Sequence, residues 1–239
     1  MKKIRIKTAI LLIVITGFMG LGANSCEELV RMPMSEAEVA RGLREALTIG
    51  AVNAVLATNT ENGFFQNPSI KIPFPAEASG AMNYMQNSAL LRPLLNEFVL
   101  RLNRAAEEAS AQARPIFVDA ISGITIQDAW GILRGGPNAA TNYLNERTYS
   151  QLYSAFRPDI INSLNAVGAQ TAWQELTTAY NTIAALSPSL SSVNTDLADY
   201  ATNKALDGLF HVVAEEENKI RQDPAARVTE LLQRVFAQQ

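Results

Sequence analysis

From residue 35 onward, apolar side chains recur at steps of three and four, the period of a helix with one buried face. Ser35-Glu-Ala-Glu38 reads as a capping box, and it opens a run with Val39, Leu43, Leu47, Val52 and Val55 on one side. Leu91, Leu95, Phe98, Leu102, Ala105 and Ala109 form a coiled-coil-like stripe on a second long helix. Thr125 to Asp128 is another capping box, and the helix it opens stops at Gly135-Gly136. Asn138 caps a segment reaching about Val167, with a kink or break expected at Pro158. Ala169 to Ala185 follows, then a Ser-rich connector from Pro188 to about Thr195. Asp196 opens a helix running to Gln222, and Asp223-Pro224 supplies an N-cap and a first-turn proline for a last helix to the chain end.

One stretch breaks the period. Gly63 to Pro75 carries three prolines and alternates Ile70, Ile72 and Phe74 against Ser69, Lys71 and Pro73. It should be extended, with one side packed on helices and the prolines confining it to an edge or to no sheet. Phe64, Phe65 and Phe74 then tuck into the core, the alternative being an exposed recognition patch. No internal repeat or interior linker interrupts the chain. The expected fold class is all-α: a single multi-helix domain over residues 35–239 with one extended Pro-rich segment.

The first 34 residues have another pattern. Lys2, Lys3, Arg5 and Lys7 form a basic head, and Thr8 to Ala23 is almost wholly apolar. Sixteen residues fall short of the roughly 20 needed for a permanent span. Ala23-Asn24-Ser25 and then Cys26, the single cysteine of the chain, follow. This segment resembles a bacterial lipoprotein signal, although Asn24 is larger than the usual residue there. The resemblance implies cleavage after residue 25 and acyl chains on Cys26 as the lipidation site, with 26–34 as acylated N-terminus and tether. Several acyl chains give stable anchoring where one gives marginal binding. The alternative is an ordinary secretory signal with a cysteine nearby. The expected location is the cell envelope of a Gram-negative-type bacterium, as an outer membrane lipoprotein facing the periplasm or the surface. With its one thiol acylated, the exported body has no disulfide and is held by its core.

Removing the signal changes the charge. Four of the 20 lysines and arginines lie in the first seven residues, which leaves 16 against 23 acids and a formal charge of −7. Such a body is a poor candidate for nucleic acid or anionic lipid heads. The adjacent Glu27 and Glu28 resemble surface-export signals of some lineages.

Candidate chemistry is sparse. His211, the sole histidine, sits among Leu209, Phe210, Val212 and Val213 and reads as a packing residue, although Glu215 shares its helical face. Neither a zinc set nor a helical di-metal motif is present in the sequence, so no metal or other cofactor is expected. In Glu215-Glu216-Glu217, two acids have i, i+4 partners in Lys219 and Arg221, while Glu216 has none. Glu97 can pair with Arg101, and Arg104 with Glu108. Asn103, Arg104 and Glu107 abut the apolar stripe of the second long helix, and Thr141, Tyr143 and Arg157 flank the next one. If these and Glu216 met between helices, they would form either a polar ligand pocket or a buried network fixing helix register.

The blocks "GFFQNPSIKIPFP", "LRLNRAAEEA", "FVDAISGITIQDAWGILRGGPNAATNYL", "KALDGLFHVVAEEENKIRQDPAAR" and "LLQRVF" together resemble a bacterial family known as domain of unknown function 4197. The resemblance spans about Ser35 to Phe236 and implies an exported, mostly helical protein, often lipid-anchored or signal-bearing. It implies no activity. The favoured expectation is a non-enzymatic interaction or scaffold module of the envelope, with an envelope protein as partner. The alternative is a lipid-anchored binder of a small charged ligand, and a hydrolase has the least support.

Overall fold

The computed structural model describes residues 34–76, 79, 86, 87, 89, 92–166, 168–186 and 192–238. The signal, Cys26, Leu91 and residues 188–191 of the Ser-rich connector lie outside the described residues. Helix α1 spans Glu36–Thr58, α2 Arg92–Ala109, α3 Ala113–Ser122 and α4 Ile126–Arg134. Helix α5 spans Ala139–Asn165, α6 Ala169–Ala184, α7 Leu197–Gln222 and α8 Glu230–Phe236. No strand occurs among the described residues, and Ser35–Gln239 forms one compact unit. The all-α class and the single helical domain hold.

Local chemistry sets the helix starts. Ser35 and Thr125 each make the full reciprocal capping box, and Asp196 accepts from Asp199 N. Helix α1 buries Val39, Leu43, Leu47 and Val55 as the period requires, while Val52 is half-buried. Helices α5 and α7 form the central pair, with α1 and α2 packed beside them and α3 and α4 closing onto α1.

Three expectations about helix ends and breaks change, the first in its capping chemistry and not in its position. Asn138 adopts a left-handed backbone (φ 66°) and makes no side-chain cap, so α5 is capped from elsewhere. Pro158 does not break α5, which continues to Asn165; Phe156 and Ile160 are fully buried on either side of the proline and hold both halves in one groove. Asp223 and Pro224 start only a short 3-10 turn, Pro224–Ala226, and α8 begins later with Thr229 as its cap. That turn ends where Arg227 donates to Ile220 O and Arg221 O at the end of α7, which folds the chain back before α8 starts.

The Pro-rich stretch is half of what its pattern predicts. Residues 61–70 wind through turns, with Gly63 N bonded to Thr60 O and Lys71 N to Asn67 O. Gly63 is required there, because a Cβ would lie 2.5 Å from Ala57 O. From Ile70 to Phe74 the alternation is obeyed: Ile70, Ile72 and Phe74 are buried, and Lys71 and Pro73 are exposed. Phe64 is fully buried, and Phe74 packs against Phe98 and Trp173 at 5.1 and 5.9 Å.

Candidate functional site

Residues 103, 104 and 107 of α2 converge on the 61–72 segment, Asn103 and Glu107 on its backbone and Arg104 on its side chains. Glu107, 5% exposed, accepts hydrogen bonds from Phe64 N and Phe65 N through Oε1, each at 3.1 Å. Its Oε2 pairs with Arg104 at 2.5 Å. Arg104 also donates to Glu61 Oε1 and Asn62 Oδ1, both at 3.0 Å. Fully buried Asn103 accepts from Ile72 N at 2.8 Å and donates to Ile72 O at 2.9 Å, as a neighbouring strand would. These three side chains therefore clamp the irregular segment onto α2. In a chain without a disulfide among its described residues, they do the work of a staple.

A second clamp lies on α7, at the Glu217–Arg221 pair. Glu217 accepts from Ala140 N at 3.1 Å, from Thr141 N at 2.9 Å and from the Thr141 hydroxyl at 2.8 Å. It supplies the α5 cap that Asn138 does not. Arg221 donates to Glu217 at 2.8 Å, to Ile132 O at 2.8 Å and to Leu133 O at 3.3 Å. One buried ion pair thus satisfies the last carbonyls of α4 and the first amides of α5. The i, i+4 spacing predicted the pair; its burial and its bonds to residues about 76 to 89 positions away were not legible locally.

The other candidates lie apart from these. Glu216 accepts from Asn53 and pairs with Lys219, so it neither lacks a partner nor meets Arg104. Tyr143 lies 3.5 Å from Asp128 Oδ2, beneath the Arg147 guanidinium. Burial and the Asp128 charge raise the Tyr143 phenol above its ordinary value. His211 is not packed: its side chain is half-exposed and 3.4 Å from Glu215, because the helical period turns position 211 outward while Leu209, Phe210 and Val213 face the core. Lys219 pairs with Glu216 rather than with Glu215.

Arg157 belongs to a third arrangement. Tyr149, Tyr153 and Arg157, each four residues apart on α5, face Asn203 and Asp199 on antiparallel α7 and its N-cap residue Asp196. Tyr149 donates to Asn203 Oδ1 at 2.6 Å, Tyr153 to Asp199 Oδ1 at 2.6 Å, and Arg157 pairs with Asp196. The hydrogen bond to Asp199, followed by burial, raises the Tyr153 phenol, so it stays a donor at neutral pH. Beside this ladder a cleft of about 200 Å³ opens between α6 and the start of α7, with Pro75 on its wall. A smaller cavity of about 20 Å³ lies beneath Phe236 and has room for about one water.

The chemistry of these arrangements is positional. Among the described residues, no group of three His, Cys, Asp or Glu side chains could hold a metal ion, and no hydroxyl is bonded to His211. Among them too, Arg234 Nε is the buried side-chain polar atom that lacks a partner.

Comparison with known proteins gives one match. The family model described as "Protein of unknown function (DUF4197)" matches residues 33–237. No curated protein and no solved structure matches the chain.

Proposed function

Because the chain belongs to the DUF4197 family of proteins of unknown function, we propose from its own residues that it is a lipid-anchored cell-envelope module acting by non-covalent contact with an envelope protein. One observation carries this reading. The buried acids and amides are spent on backbone: Glu107 on Phe64 and Phe65, Asn103 on Ile72, Glu217 on Ala140 and Thr141. A catalytic carboxylate needs an oxygen free for substrate, whereas these hold the helices in register. What remains for a partner is the acidic outer face and the cleft beside the tyrosine ladder.

The anchor in this reading is Cys26, acylated after cleavage of residues 1–25. Support comes from the basic head, the sixteen-residue apolar core and the small residues before the thiol. Among the described residues no single helix is long and apolar enough to cross a membrane.

Chemical cross-linking in intact cells, followed by purification of the tagged chain and mass spectrometry, tests the contact reading. The expected result is a discrete adduct with one envelope protein that persists when the cross-linker concentration is lowered. Recovery of the chain only as an uncrosslinked species, at every concentration, would refute it.

A further inference from the structure

We propose that the cleft between α6 and the first turns of α7 binds a primary ammonium or guanidinium group carried on an aliphatic stem. This deepens the contact reading and does not depend on the acyl anchor. The cleft, about 200 Å³, has both apolar and charged lining. Pro75, Trp173 and Val193 give it apolar lining, with Pro75 and Trp173 largely buried and Val193 half-buried, and the Trp173 N–H is already spent on Asn194 O at 3.0 Å. Asp199, Tyr200, Lys204 and Asp207 give it polar and charged lining.

The acids there are unequally occupied. Asp199 Oδ1 accepts from Tyr153 at 2.6 Å and from Asn203 at 3.0 Å, which fills both its lone pairs. Asp199 Oδ2 accepts from Asn194 at 2.9 Å and keeps capacity for a second donor. Asp207 pairs with Lys204 at 3.2 Å, and both side chains are about half-exposed or more. Exposed pairs of this kind contribute little, so an incoming cation can exchange with Lys204. A cation between Asp199 and Asp207 finds charge-assisted acceptors beside the half-buried Tyr200 ring, while its methylenes lie along the apolar lining at Val193. An anion would meet two carboxylates against the single ammonium of Lys204, and a neutral group would gain no charge-assisted bond. The −7 charge of the body raises the local concentration of cations further.

The shared chemistry has two sources, a free amine or a lysine or arginine side chain of a protein, and two probes separate them. Isothermal titration of the detergent-solubilised full chain at low salt would use cadaverine and the blocked tripeptide Ala-Lys-Ala. Saturable binding of either probe supports the site and tells which source fits. Asp207→Asn, on the exposed face, should weaken binding about tenfold, the loss of one charge-assisted contact. Lys204→Ala should strengthen it by roughly two- to fivefold, because the internal competitor is gone. A merely structural role for the ladder predicts neither change. Failure of both probes to bind, or loss of binding in Lys204→Ala, overturns the proposal. Amine binding in a chain whose Cys26 proves unmodified would sink the anchor and leave this site standing.

Discussion

Glu217 and Glu107 show how far one carboxylate can reach when its partners are backbone amides. Removing Glu217 strands Arg221, whose side chain is 8% exposed, and leaves the first amides of α5 without an acceptor. Breaking one partner of such a buried pair costs about 3–5 kcal/mol. For a body of this size, Glu217→Ala should therefore lower the melting temperature by on the order of ten degrees. Glu107→Ala strands Phe64 N and Phe65 N, at about 1–3 kcal/mol for each buried group. Arg104→Ala should cost less, because Glu107 keeps both amide donors and Arg104 is partly exposed. Urea denaturation of the three variants checks the order; a stable Glu217→Ala would contradict the clamp. At this scale the sequence revealed the pairs Glu97–Arg101 and Glu217–Arg221 but not burial, and it misassigned Arg104, which pairs with Glu107 and Glu61 rather than with Glu108. Asn103, Arg104 and Glu107 were legible as polar residues beside an apolar stripe. That Asn103 and Glu107 face the backbone of residues 64–72, and Arg104 the side chains of Glu61 and Asn62, depends on contacts more than 30 residues away, which no local spacing encodes.

Elements were read best where a cap is a local reciprocal bond, as at Ser35–Glu38 and Thr125–Asp128. They were misread where a distant side chain does the capping. Asn138 looked like the α5 cap, and Glu217 performs that task. Pro158 looked like a break, yet burial of Phe156 and Ile160 outweighs the lost hydrogen bond. Two outcomes follow at this scale. Asp128 accepts from Thr125 N at 3.0 Å and from the Thr125 hydroxyl at 2.8 Å, and these bonds hold its carboxyl below the ordinary value of 3.8. A depressed acid stabilises the fold fully above that value and loses its contribution as pH falls through the folded pKa. Asp128→Asn should thus be less stable than wild type at neutral pH, with the two converging in acid; a gap unchanged by pH in a urea series would contradict this. At Gly208 on α7, a Cβ would lie 2.6 Å from Phe64 Cε1 and 3.1 Å from Ile70 Cβ. Overpacking of about 1–3 kcal/mol should outweigh the helix-propensity gain of about 1 kcal/mol, so Gly208→Ala should unfold at lower urea than wild type. A higher midpoint would show that the segment over α7 yields easily.

The whole molecule combines an acidic helical body, two buried carboxylate clamps and an N-terminal segment built like an export signal. A body with these internal bonds has its polar chemistry committed to shape, which is what a tethered contact module requires. The proposed acyl anchor on Cys26 is the feature on which the proposed function turns, because it would decide where contact can happen. Mass spectrometry of the N-terminal tryptic peptide from membrane-extracted protein tests it most directly. The peptide expected is Cys26–Arg31, beginning at the cysteine and carrying acyl chains on both its sulfur and its nitrogen. A mature chain that begins elsewhere, or one that begins at Cys26 with a free thiol and amine, would contradict the account.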